Sequence, residues 1–236
     1  MIAFPEVICD LIADYTSENK LLPWINSSKL DWGCLSTNSA AIDLLIANQD
    51  KIDWYGLSRN PAAIELLTAN PKKINWYNLS ENSAAIELII KCLDTNQNKI
   101  NWFQLSSNPA AIDLLTANRD KIDWDGLAMN PAAIELLTAN QDKINWFMLS
   151  SNPAAIELLT VNQDKINWYM LSHNKKAVKL LKANQDKIYW YWLSGNPAAI
   201  ELLKTNPDKI NWNYLSTNPA IFSNNKKEIY TTLLLL

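Results

Sequence analysis

The side chains best suited to catalysis are scarce in this chain. There is one histidine, His173, and there are three cysteines, Cys9, Cys34 and Cys92. A single imidazole excludes any site that needs two, and no serine or cysteine is locally placed to use it as a base. The positions equivalent to His173 elsewhere hold Thr37, Arg59, Glu81, Ser107, Met129, Ser151, Gly195 and Thr217. It therefore reads as an exposed side chain at a variable position. No glycine-rich phosphate loop, His-Glu-x-x-His or EF-hand spacing occurs. The cysteines are odd in number and irregularly spaced, which fits a reducing compartment better than a disulfide framework. No enzyme activity, cofactor or metal is expected.

Charge is patterned. An acidic position recurs as Asp43, Glu65, Glu87, Asp113, Glu135, Glu157 and Glu201, interrupted by Lys179, and a basic one as Lys51, Lys73, Lys99, Lys121, Lys143, Lys165, Lys187 and Lys209. Stacked carboxylates could bind a cation or a basic partner, but columns that repeat together fit architecture better. Exposed pairs between them are worth under about 1 kcal/mol each. The formal net charge of -3 disfavours a nucleic-acid partner, although aromatic residues beside the lysines could stack on bases.

These columns belong to a tandem repeat. Trp stands at 32, 54 and 76, then at 102, 124, 146, 168, 190 and 212. Every interval is 22 residues except that from Trp76 to Trp102, which is 26. Leu follows each Trp by three residues, and Asn recurs from Asn38 to Asn218 in the same frame. A short fixed period predicts a solenoid whose units pack on their neighbours.

Within a unit, Asn130 to Asn140 predicts a helix: Asn130 caps it, Pro131 opens it, and Asn140 ends it in a left-handed conformation. Its apolar residues cover more than half of the circumference, so it should be buried from several sides. A shorter helix is expected from Trp146 to Ser150. Asp or Asn precedes the Trp in eight of nine units as a cap, and Trp and Leu should both lie in the core. The extra residues of the 26-residue interval fall in IELIIKCLDTN, where four residues add about one helical turn. The fold expectation is an all-α solenoid of about eight helix-turn-helix units. The alternative is a leucine-rich-repeat-like solenoid, whose second apolar slot would be Gly33, Asp125 or Asn213.

The units Asn-Pro-x-Ala-Ile-x-Leu-Leu and Ile-Asn/Asp-Trp-x-x-Leu-Ser resemble short tandem repeats of large DNA viruses that infect amoebae. The resemblance covers about residues 24–221. It implies a repeat family without an assigned chemistry, in host cytoplasm or in a virion. Residues 4–8, FPEVI, also faintly resemble the opening of an F-box, which would imply a substrate adaptor.

Three regions are expected: an N-terminal capping helix within 1–23, repeats over 24–221 with the long unit around 76–102, and a cap or tail over 222–236. The opening MIAFPEVICDLIADY lacks the basic start and long apolar core of a signal peptide, and no apolar run reaches the ~20 residues of a membrane span. An intracellular protein without membrane association is expected.

Function should lie where the units differ. Two residues after each Trp stand Cys34, Gly56, Asn78, Gln104, Gly126, Met148, Met170, Trp192 and Tyr214. This position is about 200° from the Trp, away from the expected core. Met148, Met170, Trp192 and Tyr214 are therefore expected as an exposed apolar stripe that binds a protein partner. Tyr55, Tyr77, Phe103, Phe147, Tyr169 and Tyr191, directly after Trp, are expected to pack at the boundary. The resulting reading is a non-catalytic scaffold for protein–protein interaction. The alternative is a structural subunit that self-assembles, through the C-terminal leucines or within a viral particle.

Overall fold

The computed structural model describes residues 21–222. Residues 1–20 of the expected N-terminal capping region, the F-box-like opening and the C-terminal leucines lie outside the described residues. The chain divides into two compact units, Met1–Arg119 and Asp120–Leu236. Each repeats the same local structure, and among the described residues there is helix and no strand. The fold is an all-α solenoid of repeats, which excludes the leucine-rich-repeat alternative.

One period has four parts. In the first unit, Asn60 accepts a hydrogen bond from the Ala62 backbone N–H through Oδ1 at 3.0 Å, and Pro61–Ala63 forms a 3₁₀ turn. That turn runs into the helix Ile64–Ala69, a second 3₁₀ turn, Pro71–Lys73, reverses the chain, and the helix Trp76–Leu79 completes the period. Asn60 supplies the side-chain cap, and Pro61 has the fixed φ that a first helical position favours. The expected continuous helix over 130–140 is thus shorter, Ile134–Thr138. The second expected helix is Trp146–Leu149. The long repeat unit extends its helix to Ile86–Asn96, so the insertion is absorbed as helix.

The expected left-handed Asn does not occur. Asn140 has φ −136° and ψ 52°, and no described non-glycine residue has positive φ. Instead its side chain folds back and donates to the Leu136 carbonyl at 2.8 Å, and Asn70, Asn118, Asn162, Asn184 and Asn206 do the same. An amide side chain here satisfies an orphan carbonyl at the helix end, so the backbone need not turn left-handed.

Asp31, Asp53, Asn75, Asn101, Asp123, Asn145, Asn167 and Asn211 all cap the Trp helices with their side chains, as expected. Helices of four to six residues are not stable alone, and packing must hold them. Leu57, Leu67, Leu79, Leu105 and Leu115 in the first unit are fully buried, as are Leu127, Leu137, Leu149, Leu159, Leu171, Leu181 and Leu193 in the second.

Two polar ladders join successive periods. The amide of Asn82 donates to the carbonyls of Ser58 at 3.2 Å and Asn60 at 3.1 Å, while its Oδ1 caps the next turn. Asn152, Asn174, Asn196 and Asn218 repeat this in the second unit. Each is buried, and the bonds offset the cost of placing an amide there. The second ladder uses Ser. Ser58 Oγ donates to the Trp54 carbonyl and accepts from the Asn75 backbone N–H at 2.9 Å; Ser36, Ser80, Ser150, Ser172 and Ser194 act likewise. Ala128 holds this position once and has no hydroxyl to offer.

The repeated Trp is not a core residue like the Leu. Trp76 is buried, but Trp32, Trp54, Trp124, Trp146, Trp168 and Trp190 are half-buried. The ammonium of the next period's Lys lies over each of these six rings, at 4.4 Å for Lys73 on Trp54 and 4.8 Å for Lys187 on Trp168. Six of the eight lysines of the basic column therefore face indoles. Each such contact is worth about 0.5–1 kcal/mol at an exposed site. Arg59 pairs with Glu81 at 2.8 Å, and Lys121 with the neighbouring Asp120 at 3.4 Å.

Candidate protein-interaction surface

Successive Trp helices lie side by side, Trp32–Thr37 on Trp54–Leu57 in the first unit and Trp168–His173 on Trp190–Ser194 in the second. A helix in such a row is flanked on two sides. The position two after Trp faces the preceding helix: a Cβ on Gly56 would meet Thr37 Cγ2 at 3.1 Å. His173 lies against Trp192 with ring centroids 4.1 Å apart, and a Cβ on Gly195 would meet the Tyr214 ring at 2.4 Å. The variable position two after one Trp thus packs on the variable position five after the Trp before it.

This corrects the expected exposed stripe. Met148, Met170, Trp192 and Tyr214 are all half-buried, because pointing away from the Trp means pointing at a neighbouring helix. Met148 and Met170 hold that place in consecutive periods, their backbone N–H groups donating to the capping Asn145 and Asn167. The side chains that reach solvent come directly after the Trp. Tyr55, Tyr77, Phe147, Tyr169 and Tyr191 are exposed, while Phe103 is half-buried. Both expectations are thereby reversed: the angular argument considered one helix alone, and the positions of neighbouring helices, which decide burial, were missing from it.

In the second unit these series merge into an aromatic cluster. Trp192 meets Tyr169 edge-on at 5.4 Å, Tyr191 at 4.9 Å and Tyr214 at 5.0 Å, and Tyr191 stacks on Tyr214 at 4.8 Å. Tyr189 stands edge-on to Tyr169 at 5.6 Å. Aromatic pairs of this kind add about 0.5–1.5 kcal/mol beyond burial, so the cluster is held in one arrangement. Tyr189 and Tyr191 are 52 % and 50 % exposed, so each still presents ring surface to a partner.

Tyr189 also breaks a local rule. It occupies the capping position that Asp or Asn fills before the other eight Trp helices, and its helix has no side-chain cap. Losing such a cap costs about 1 kcal/mol. Such a departure is expected where a side chain serves something other than the fold. Beside it, an open cavity of about 500 Å³ is lined by Trp168, Tyr169, Asp186, Lys187 and Tyr189, among others. The only sequence signal for Tyr189 is the break in the capping series.

His173 is exposed, as expected, yet one face of its ring lies edge-on to Tyr169 at 6.2 Å and tilted against Trp192, and this partial desolvation lowers its pKa from the ordinary value. Cys34 is exposed, but the nearby Asp31 carboxylate raises its thiol pKa, which disfavours the thiolate that a nucleophile needs. Among the described residues no group of three or more His, Cys, Asp or Glu side chains is placed to hold a metal ion, and no helix is long and apolar enough to cross a membrane. Compared with known proteins, the chain matches no family model, no curated protein and no solved structure.

Proposed function

We propose that the protein is a non-catalytic repeat scaffold that binds another protein through the aromatic surface around Tyr169, Tyr189, Tyr191 and Trp192. The observation that supports this most is the exposed, mutually braced aromatic cluster at the one Trp helix that gives up its side-chain cap. Tyr and Trp are enriched at interfaces because they bring large contact area at low entropic cost, and a braced ring loses little further freedom on binding. On the resemblance of its repeats to those of amoeba-infecting viruses, the partner to seek is a host protein.

The test compares the intact chain with Tyr191→Ser and with Tyr189→Asn, which restores the cap used by the preceding period. Both variants should keep the parent helical circular dichroism, and Tyr189→Asn should melt no lower. Affinity capture should return a partner with the parent chain and lose it with both variants. Equal capture by all three would overturn the assignment of this surface. If light scattering shows particle mass rising with concentration, a self-assembling subunit replaces the scaffold reading.

A further inference from the structure

The period starting at Asn174 departs from the template on its other helix as well. Where the preceding period has Pro153, Ala154, Glu157 and Thr160, this one has Lys175, Lys176, Lys179 and Lys182. All four lysines are exposed, as is Lys204, which occupies the place of Lys182 in the next period. No ion pair within 4.0 Å involves any of them among the described residues. Packing does not require them, since the other periods form the same helix without them. Lys179 and Lys182, three apart on the helix Val178–Ala183, repel one another. Lys182 also lacks the hydroxyl that Thr160 uses to donate to the Ile156 carbonyl.

A cavity of about 520 Å³ opens at the same place, between the helices Ile156–Val161 and Val178–Ala183. Ile156, Leu180 and Ala183 form its apolar floor, with Lys179, Thr160 and Gln163 around it. Val161, which follows the lining residue Thr160 in the same helix, is 78 % exposed. Of the four lysines Lys179 lines the cavity and the others flank it in the chain, so an apolar lining beside a run of cations defines the ligand chemistry. We propose that this groove docks an acidic peptide segment, seating an apolar side chain between the helices while flanking carboxylates meet Lys175, Lys176, Lys179 and Lys182.

The surroundings favour a peptide over a nucleic acid. Glu157 and Glu201 hold the place of Lys179 in the periods before and after, so a phosphate backbone following the array would run into carboxylates on both sides. An apolar floor also gives a phosphate nothing to bind. This surface is built on the Ile- and Val-initiated helices, whereas the aromatic surface is built on the Trp helices, so the two can be tested independently.

The probe is a fluorescein-labelled peptide of about twelve residues, glutamate throughout except for two leucines four apart, followed by fluorescence anisotropy with the full chain. Binding is expected at low salt, weakening severalfold as ionic strength rises above about 0.1 M. Replacing all four lysines with the preceding period's residues, Lys175→Pro, Lys176→Ala, Lys179→Glu and Lys182→Thr, should weaken it at least tenfold. Lys179→Glu alone should weaken it about threefold and covers the case in which the fourfold variant does not fold. A peptide with serine for both leucines should bind about tenfold more weakly, and Tyr191→Ser should leave binding unchanged, so failure of the aromatic surface would not touch this result. No binding, equal binding by the lysine variants or the leucine-free peptide, or tighter binding of a single-stranded RNA or of anionic vesicles, would overturn the proposal.

Discussion

Residues 31–82 and 167–218 are built on one template and finished differently. In the first stretch Asn60 donates to the Ser36 carbonyl at 3.1 Å, and in the second Asn196 donates to the Ser172 carbonyl at 3.2 Å. Ser36 and Ser172 accept from the next period's backbone N–H at 3.0 and 3.1 Å. Between neighbouring Trp helices, however, the first stretch sets Thr37 against Gly56, and Asn78 donates to the Tyr55 carbonyl. The second sets His173 against Trp192 and Gly195 against Tyr214. The bonds that join periods come from backbone and from buried Asn and Ser, so exchanging the variable pair leaves the solenoid closed. The shared bonds between periods are carried by the repeated residues, and the variable pairs add contacts of their own, such as Asn78 to the Tyr55 carbonyl.

The strongest way to break that separation is to remove the ladder in either stretch. Asn82→Ala and Asn196→Ala each delete a cap and take a side-chain donor away from two carbonyls in a buried site, of which the Asn60 and Asn174 carbonyls keep a backbone N–H. Each should lower unfolding free energy by about 2–4 kcal/mol, and by similar amounts, when measured by urea denaturation. If Asn82→Ala were nearly neutral while Asn196→Ala was costly, the aromatic stretch would be stabilised by a different mechanism.

A smaller effect separates the variable pairs. Gly195→Ala places a methyl group where the Tyr214 ring lies, forcing the ring from its stack on Tyr191 at 4.8 Å. The expected loss is about 1–2 kcal/mol, with a changed near-ultraviolet circular dichroism spectrum. Tyr214→Asn added to Gly195→Ala should restore most of the stability, because Asn78 already occupies the equivalent place in the first stretch. A double-mutant cycle without coupling would mean that the two positions do not pack as a pair.

Much of this molecule was legible in its sequence. Trp at 22-residue intervals, the Asn or Asp before it and the Leu three after it placed the Trp helices and their caps, because capping and periodicity are local. The aromatic cluster was less legible. Exposure of Tyr191 and half-burial of Trp192 depend on where the next helix lies, which no property of a single helix determines. The role of Ser172 was hidden for the same reason, since its hydroxyl bridges to Tyr189, seventeen residues on. Lysines over indoles were missed because charge had been expected to meet charge; Lys187 reaches Trp168 because the second 3₁₀ turn sets the two side by side.

The smallest effect concerns His173, and it tests the packing of the variable pair most directly. As the one histidine in the chain, it gives a single imidazole Cε1–H resonance that can be followed by pH titration. Partial burial against Trp192 favours the neutral ring, so the midpoint should lie below the ordinary 6.5. The unfolded chain then takes up the proton at higher pH than the folded one. Stability should therefore fall slightly as pH drops through about 6.5 and level off below the folded midpoint. Trp192→Asn removes the indole and should bring the midpoint back toward 6.5. A parent midpoint above 6.5, falling on that substitution, would mean that the indole face stabilises the imidazolium more than burial penalises it, as the lysines over the repeated Trp rings already suggest for a cation held against an indole in this fold.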